Sequence, residues 1–164
     1  LALAEALELP LAPALDALCA LTGLPHRSQW VADVCGVRYV NDSKGTNVGA
    51  TLAAVRGLAG PLVVIAGGDG KNQDFSELRP AFRGKVRHVV LIGRDAPALA
   101  ATLADGVCAT ERASDMPAAV RAAQAVAQPG DTVLLSPACA SLDMFRDYTH
   151  RGDEFAAAVR SLAA

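Results

Sequence analysis

Short, unbroken apolar runs separated by longer amphipathic stretches constrain this chain more than any other feature. Leu62-Val63-Val64-Ile65 and Val89-Val90-Leu91-Ile92 carry no polar residue on either face. A strand of that kind needs covering layers on both sides of its sheet. The stretches between the runs have helical spacing, so the pattern is a βα alternation whose crossovers are right-handed. Spacing and turn residues predict strands at Gln29 to Val34, Val37 to Asn41, Leu62 to Ala66, Val86 to Ile92, Gly106 to Ala109 and Thr132 to Leu135. The first two read as a hairpin around Cys35-Gly36. Helices are expected near Val48 to Leu58, Ser76 to Phe82, Ala96 to Leu103 and Met116 to Ala127, and again from Met144, Phe145 and Tyr148 to Ala164. The fold class is therefore α/β, with a mostly parallel sheet of about six strands that includes an N-terminal hairpin.

Composition narrows the reading. With 164 residues, 52% hydrophobic and only 4% aromatic, the chain suits one domain cored by aliphatic helices and strands rather than an aromatic β-sandwich. A net charge of −2 and the lack of a basic stripe argue against a nucleic-acid partner. Cys19, Cys35, Cys108 and Cys139 form no CxxC pair; they read as buried thiols of a reducing compartment, and the cytoplasm is the expected location. Leu1 to Leu21 is apolar, but Glu5, Glu8, Pro10, Pro13 and Asp16 interrupt it, so no membrane span or signal peptide is expected. Two short helices, Leu1 to Leu9 and Ala12 to Thr22, broken at Leu9-Pro10, fit better. They begin as if in mid-helix, so residues 1–22 are expected to be the tail of a preceding domain. Gly23-Leu24-Pro25 then marks the boundary to the domain proper, residues 23–164.

Chemistry concentrates where strands turn into helices. Three junctions carry polar residues: Asn41-Asp42-Ser43-Lys44-Gly45-Thr46-Asn47, Gly67-Gly68-Asp69-Gly70-Lys71, and Ser136-Pro137-Ala138-Cys139-Ala140-Ser141-Leu142-Asp143. In an open parallel sheet such junctions line one crevice, and a helix N-terminus there offers free N–H groups to an anion. The glycine loop fails two nucleotide templates: Ile65 stands where a Walker loop needs Gly, Asn72 where it needs Ser or Thr, and Gln73 where a dinucleotide fingerprint needs Gly or Ala. What remains is a flexible turn presenting Lys71 as a point charge, or a tight turn with a solvated lysine before an Asp74-to-Glu77 capping box. Thr46 or Asn47 either caps the next helix or meets a ligand, and Ser141 is open to the same two readings. Asp42 and Lys44 are either a site pair or solvated charges. His26 and Arg27 sit at the boundary, where interdomain ligands bind. His88 and His150 read as structural.

Taken together, the motifs resemble the C-terminal domain of the Mur ligases of peptidoglycan synthesis. The matching residues are the three junctions above, Gly23-Leu24-Pro25-His26-Arg27 before them, and Phe145, Arg151-Gly152 and Glu154-Phe155 after them. The SPACASLD run fits the D-glutamate-adding branch. The resemblance implies a Rossmann-like three-layer sandwich and an acid–amino-acid ligase. In such an enzyme ATP, with Mg²⁺, phosphorylates the carboxylate of UDP-N-acetylmuramoyl-L-alanine, and D-glutamate attacks the acyl phosphate. By the same likeness Thr46, Lys71, Ser141 and the backbone at Leu142 hold D-glutamate in a pocket lined by Tyr148. Arg27 and Asp42 reach the nucleotide, and Lys44, Asn47 and Asp69 are candidate supporting residues of the site. ATP and Mg²⁺ would be bound mainly by a central domain outside this chain, and the isolated chain is expected to be inactive. A bacterial cytoplasmic enzyme that is a monomer is implied. Gly45 stands where the family pattern leads one to expect Ala, and Tyr148 where Phe is expected.

Other readings remain on the sequence alone. Another Mur-type ligase domain is one, although the Asp-Asn-Pro-Arg motif of a diaminopimelate-adding enzyme is absent. A folylpolyglutamate ligase domain is another. A nonenzymatic module binding a small anion on the same fold is the third, since fold does not fix function.

Overall fold

The computed structural model describes residues 2–20 and 23–162. Two leading helices, α1 (Ala2–Ala6) and α2 (Leu11–Ala20), precede the hairpin strands β1 (Gln29–Val34) and β2 (Val37–Asn41). There follow α3 (Val48–Gly57), β3 (Leu62–Gly67), α4 (Leu78–Phe82), β4 (Val86–Ile92), α5 (Ala96–Leu103), β5 (Ala109–Arg112), α6 (Met116–Val126), β6 (Thr132–Leu135) and α7 (Tyr148–Ser161). The expected helix ends at Leu1, Thr22 and Ala164 lie outside the described residues.

The six strands form one sheet in the order β1-β2-β6-β3-β4-β5. Only the β1–β2 pair is antiparallel; the other four pairings are parallel. Cys35 (φ 51°) and Gly36 (φ 77°) both lie in the left-handed region, as a two-residue hairpin turn that matches strand twist requires. The unbroken apolar runs explain themselves in cross-section. Val64, Ala66, Val89, Leu91 and Leu134 face Leu52 and Val55 of α3, Leu78 and Phe82 of α4, and Leu99 and Leu103 of α5. Their neighbours Val63, Ile65, Val90, Ile92, Val133 and Leu135 face Met116 and Val120 of α6 and Phe155 and Val159 of α7. Each central strand thus feeds two cores, one per face.

Handedness then fixes the site. Moving outward from β3 through β4 to β5 by right-handed crossovers puts α4 and α5 on one face, and the return from β5 to β6 puts α6 on the other. The return strand enters between β2 and β3, where Asn41 and Ile65 both pair with Leu135. The C-terminal ends of β2, β6 and β3 are therefore neighbours, and the three polar junctions meet at the point where strand order reverses.

Several expectations are corrected. The fifth strand is Ala109–Arg112, not Gly106 to Ala109: Asp105 and Gly106 turn with positive φ, and Val107 packs into the α3–α5 core. The fourth helix begins at Leu78 rather than Ser76, because Asp74 engages both the amide and hydroxyl of Ser76 in a local turn instead of a capping box with Glu77. The last helix begins at Tyr148, capped by Asp147, rather than at Met144. Ser141 is thus not its N-cap; the Ser141 carbonyl accepts from the amides of Met144 and Phe145 in one isolated turn. Cys19 and Cys35 are exposed, not buried; α2 buries none of its residues and Cys35 occupies the hairpin tip. Burial holds for Cys139, whose thiol it pushes up to about 12, while Cys108 is half-buried. No helix among the described residues is long and apolar enough to cross a membrane.

Candidate functional site

The first junction is anchored from beneath. Asn41, buried at the end of β2, accepts from the Ser43 amide (3.1 Å) and donates to the Gly152 carbonyl on α7 (3.0 Å). Its amide nitrogen also lies 3.1 Å from His26 Nδ1. Asp42 is buried, with Oδ1 accepting from the Ser28 amide (3.1 Å) and Oδ2 from the Ser136 hydroxyl (2.8 Å). Burial raises its carboxyl above the usual aspartate range, while those two bonds and the Arg27 charge act in the opposite direction. Asn47 caps α3, accepting from the Ala50 amide at 2.9 Å.

The second junction is pressed against the third. Gly67 (φ 120°) and Gly68 (φ 130°) occupy backbone that side chains rarely adopt, and a Cβ at Gly68 would collide with the Ala140 carbonyl. That approach lets Asp69 and Ala140 exchange two backbone hydrogen bonds, of 3.0 and 2.8 Å, outside the regular sheet. The Asp69 side chain accepts from the Lys71 amide (3.0 Å) and pairs with Arg94 (2.8 Å). Asp69 is therefore a brace that sets the turn bearing Lys71. Gln73 ties the same turn to the start of α3, accepting from the Val48 amide at 3.2 Å and donating to the Ala138 carbonyl.

These braces leave a cleft of about 210 Å³ lined by Lys44, Thr46 and Lys71 on one side. Ala140, Ser141, Leu142, Asp147 and Tyr148 line the other. All five residues expected to hold an amino acid, Thr46, Lys71, Ser141, Leu142 and Tyr148, border it. Two lysines against one aspartate give it a cationic balance suited to carboxylates. Lys44 Nζ lies 4.1 Å from the centre of the Tyr148 ring, a cation–π contact that holds the lysine at the rim. Leu142 is 69% exposed at the cleft edge. The α7 cap keeps the Asp147 carboxyl below the usual aspartate range, through the His150 amide first.

A second cleft, of about 420 Å³, shares Lys44 with the first. Arg27, Ser28 and Asp42 form its polar edge, and Ala50, Ala53 and Leu58 an apolar wall. Arg27 and Asp42, the two residues expected at a nucleotide, thus share a cleft, and Lys44 borders both. Asn47 and Asp69 border neither; they act on backbone. Sequence reasoning gave no role to Asn41 or Arg151, which lie beneath the loops. Both stand in the motifs that carry the resemblance, but their burial, which gives them a role, is not displayed by a sequence. Among the described residues no three His, Cys, Asp or Glu gather to hold a metal.

Solved structures of UDP-N-acetylmuramate-alanine ligase from Thermotoga maritima and bifunctional folylpolyglutamate synthase/dihydrofolate synthase from Yersinia pestis share the fold. Their TM-scores are 0.65 and 0.59, at 16% and 18% identity. They match 98% and 94% of this chain and 36% and 39% of their own. Curated sequences from Burkholderia mallei and Burkholderia pseudomallei, both called UDP-N-acetylmuramoylalanine–D-glutamate ligase, are 60% identical over 163 residues. That alignment takes in 99% of this chain, which spans 32% of the relatives' length. Residues 26–139 match the profile described as Mur ligase, glutamate ligase domain. On that match, from His26 through the first half of the third junction, the chain belongs to the Mur ligase family as its glutamate ligase domain.

Proposed function

We propose that this chain is the amino-acid-binding domain of a bacterial, cytoplasmic, ATP-dependent ligase that adds D-glutamate to UDP-N-acetylmuramoyl-L-alanine through an acyl phosphate. The observation that carries the reading is the single small cleft bordered by Thr46, Lys71, Ser141, Leu142 and Tyr148. At about 210 Å³ it falls below the range of sites for nucleotide-sized ligands and suits a free amino acid.

Lys71 supplies the charge-assisted contact to a carboxylate, and the Thr46 and Ser141 hydroxyls fix its direction. Holding both carboxylates leaves the amine of D-glutamate as the free end, so the domain contributes by orientation, converting attack on the acyl phosphate into an effectively unimolecular step. Arg27 and Asp42 border the neighbouring cleft, and we assign them to the nucleotide. Lys44, between the two clefts, sits where phosphate and amino acid approach each other. ATP supplies the phosphoryl group that activates the acceptor carboxylate. ATP and Mg²⁺ are assigned mainly to a central domain, and α1 and α2, which bury no residue, to that domain's tail. The reading takes the enzyme as a monomer.

An NMR titration with D-glutamate and, separately, L-glutamate tests this, following the amides of Thr46, Lys71 and Ser141. Saturable shifts at all three with the D-isomer alone are expected. Silence toward both isomers, repeated in the full-length polypeptide with ATP, refutes the assignment.

A further inference from the structure

We infer that Arg151 is a positioning residue for the amino-acid cleft: from inside α7 its guanidinium locks the first and third junction loops together, and so sets where the cleft's two walls stand. The inference rests on the reading of that cleft as the D-glutamate site.

Arg151 is the largest fully buried side chain among the described residues, at 0% exposure. Its Nε donates to the Ser43 hydroxyl (2.9 Å), Nη2 to the Ser43 carbonyl (2.7 Å) and Nη1 to the Cys139 carbonyl (3.1 Å). The Ser43 hydroxyl in turn donates to the Tyr148 carbonyl at 2.7 Å. Each group held lies in, or one residue before, a residue that borders the cleft: Ser43 precedes Lys44, Cys139 precedes Ala140, and Tyr148 borders it directly. A planar fork of fixed geometry reads three points of two loops at once, which a flexible ammonium cannot do.

The energetics argue against a purely structural role. Arg151 enters none of the ion pairs found among the described residues; its three direct partners are neutral oxygens, and the Asp143 charge acts on it without a direct contact. Burial pushes its pKa down to about 10, which still leaves it charged at neutral pH. Apolar packing of similar volume would fill the same space without desolvating a charge. Retaining the cation makes sense where loop register matters and where a positive charge behind an anion site helps.

The test uses the full-length polypeptide that carries this chain, with Arg151→Lys, Arg151→Met and Ser43→Ala. Val159→Ala, a core truncation in the same helix, controls for stability. Arg151→Lys keeps the charge but loses the fork, and should raise the KM for D-glutamate about tenfold; Arg151→Met should raise it further, by about a hundredfold. The KM for ATP should stay within about twofold in both, and Ser43→Ala should show the same selective pattern more weakly. Val159→Ala should lower the Tm and leave both KM values alone. The proposal is overturned if Arg151→Lys and Ser43→Ala leave the D-glutamate KM unmoved, or if both KM values shift together. Hydrogen exchange at Lys44–Thr46 and Ala140–Leu142 gives a second readout independent of the substrate. Both segments should lose protection in Arg151→Lys and keep it in Val159→Ala; loss confined to α7 refutes positioning. A wild-type enzyme that does not use D-glutamate would sink the functional reading instead, and the exchange result would still decide the role of Arg151.

Discussion

Replacing Gly152 by Ala pits two physical effects of opposite sign against each other. Gly152 lies inside α7, where helix propensity alone favours Ala by about 1 kcal/mol. A Cβ there would fall within the van der Waals envelope of His26 Nδ1 and 3.0 Å from Asn41 Nδ2. His26 cannot swing clear. It is 8% exposed and has a φ of 60°. Its ring meets Tyr148 edge-on at 6.1 Å, and its carbonyl accepts from the Lys44 amide at 3.0 Å. Overpacking of this kind costs about 1–3 kcal/mol, and stranding the buried Asn41 amide costs about 1–3 kcal/mol more. Against the propensity gain, the net is a loss of about 1–5 kcal/mol, or a fall in Tm of roughly 2–4 °C per kcal/mol for a domain of this size. Gly49→Ala in the exposed first turn of α3 is the control. Its Cβ would meet only Asn47 Oδ1 at 3.5 Å, so a gain of about 0.4–1 kcal/mol is expected. Urea unfolding of both variants checks the pair. If Gly152→Ala is as stable as the wild type or more so, the packing around His26 does not constrain this helix and the reasoning fails.

Three further predictions follow from the same structure. Lys71→Ala should lower kcat/KM for D-glutamate by about 1.5–3 kcal/mol, the range for hydrogen bonds to a charged group; unchanged kinetics in the full-length enzyme would remove Lys71 from the site. Asp42→Asn should weaken nucleotide use, seen as a raised KM for ATP, while sparing stability at neutral pH. The folded pKa of Asp42 is raised, so its stabilising contribution is complete below its unfolded pKa of about 3.9 and is lost as pH rises through the folded value. The variant should therefore gain on the wild type between acidic and neutral pH, and a constant gap across denaturation curves would contradict this. Asp115 behaves oppositely: capping the Ala118 amide at 2.7 Å lowers its pKa. Its contribution is present above about pH 3.9 and lost as pH falls through the folded value. The Tm deficit of Asp115→Ala should shrink in that acidic window, and a deficit independent of pH would refute the capping argument.

What was legible in the sequence divides along physical lines. Val63 to Ile65 and Val89 to Ile92 announce themselves because both faces of a central strand are apolar. Cys35-Gly36 shows a hairpin because the flanking strands leave only two residues to turn. The strand Ala109–Arg112 was misplaced because an edge strand, largely exposed, has no apolar signature, while the nearby Val107 that does carry one belongs to the core. The third junction showed the residues that border the cleft but not its shape. Ser141 looks like a cap, yet Asp147 competes for the same role nearer the helix, and only packing decides between them. The alternation of strands and helices brought Thr46, Lys71 and Ser141 to one sheet edge. Their adjacency depends on β6 entering between β2 and β3, which no local pattern encodes. Arg151 enters the sequence reading only through the Arg151-Gly152 match, and its burial appears only when the fold closes over it.

The strand order also bears on how the protein reaches this state. β6 is the last of the described strands to leave the ribosome, yet it occupies the middle of the sheet, between β2 and β3. Until it arrives, those two strands have no partner on their inner edges, and unpaired edges invite association with other chains. The cleft, built on the loops that β6 draws together, is therefore completed late in folding, and a chain that has not inserted this strand has neither a continuous sheet nor that cleft.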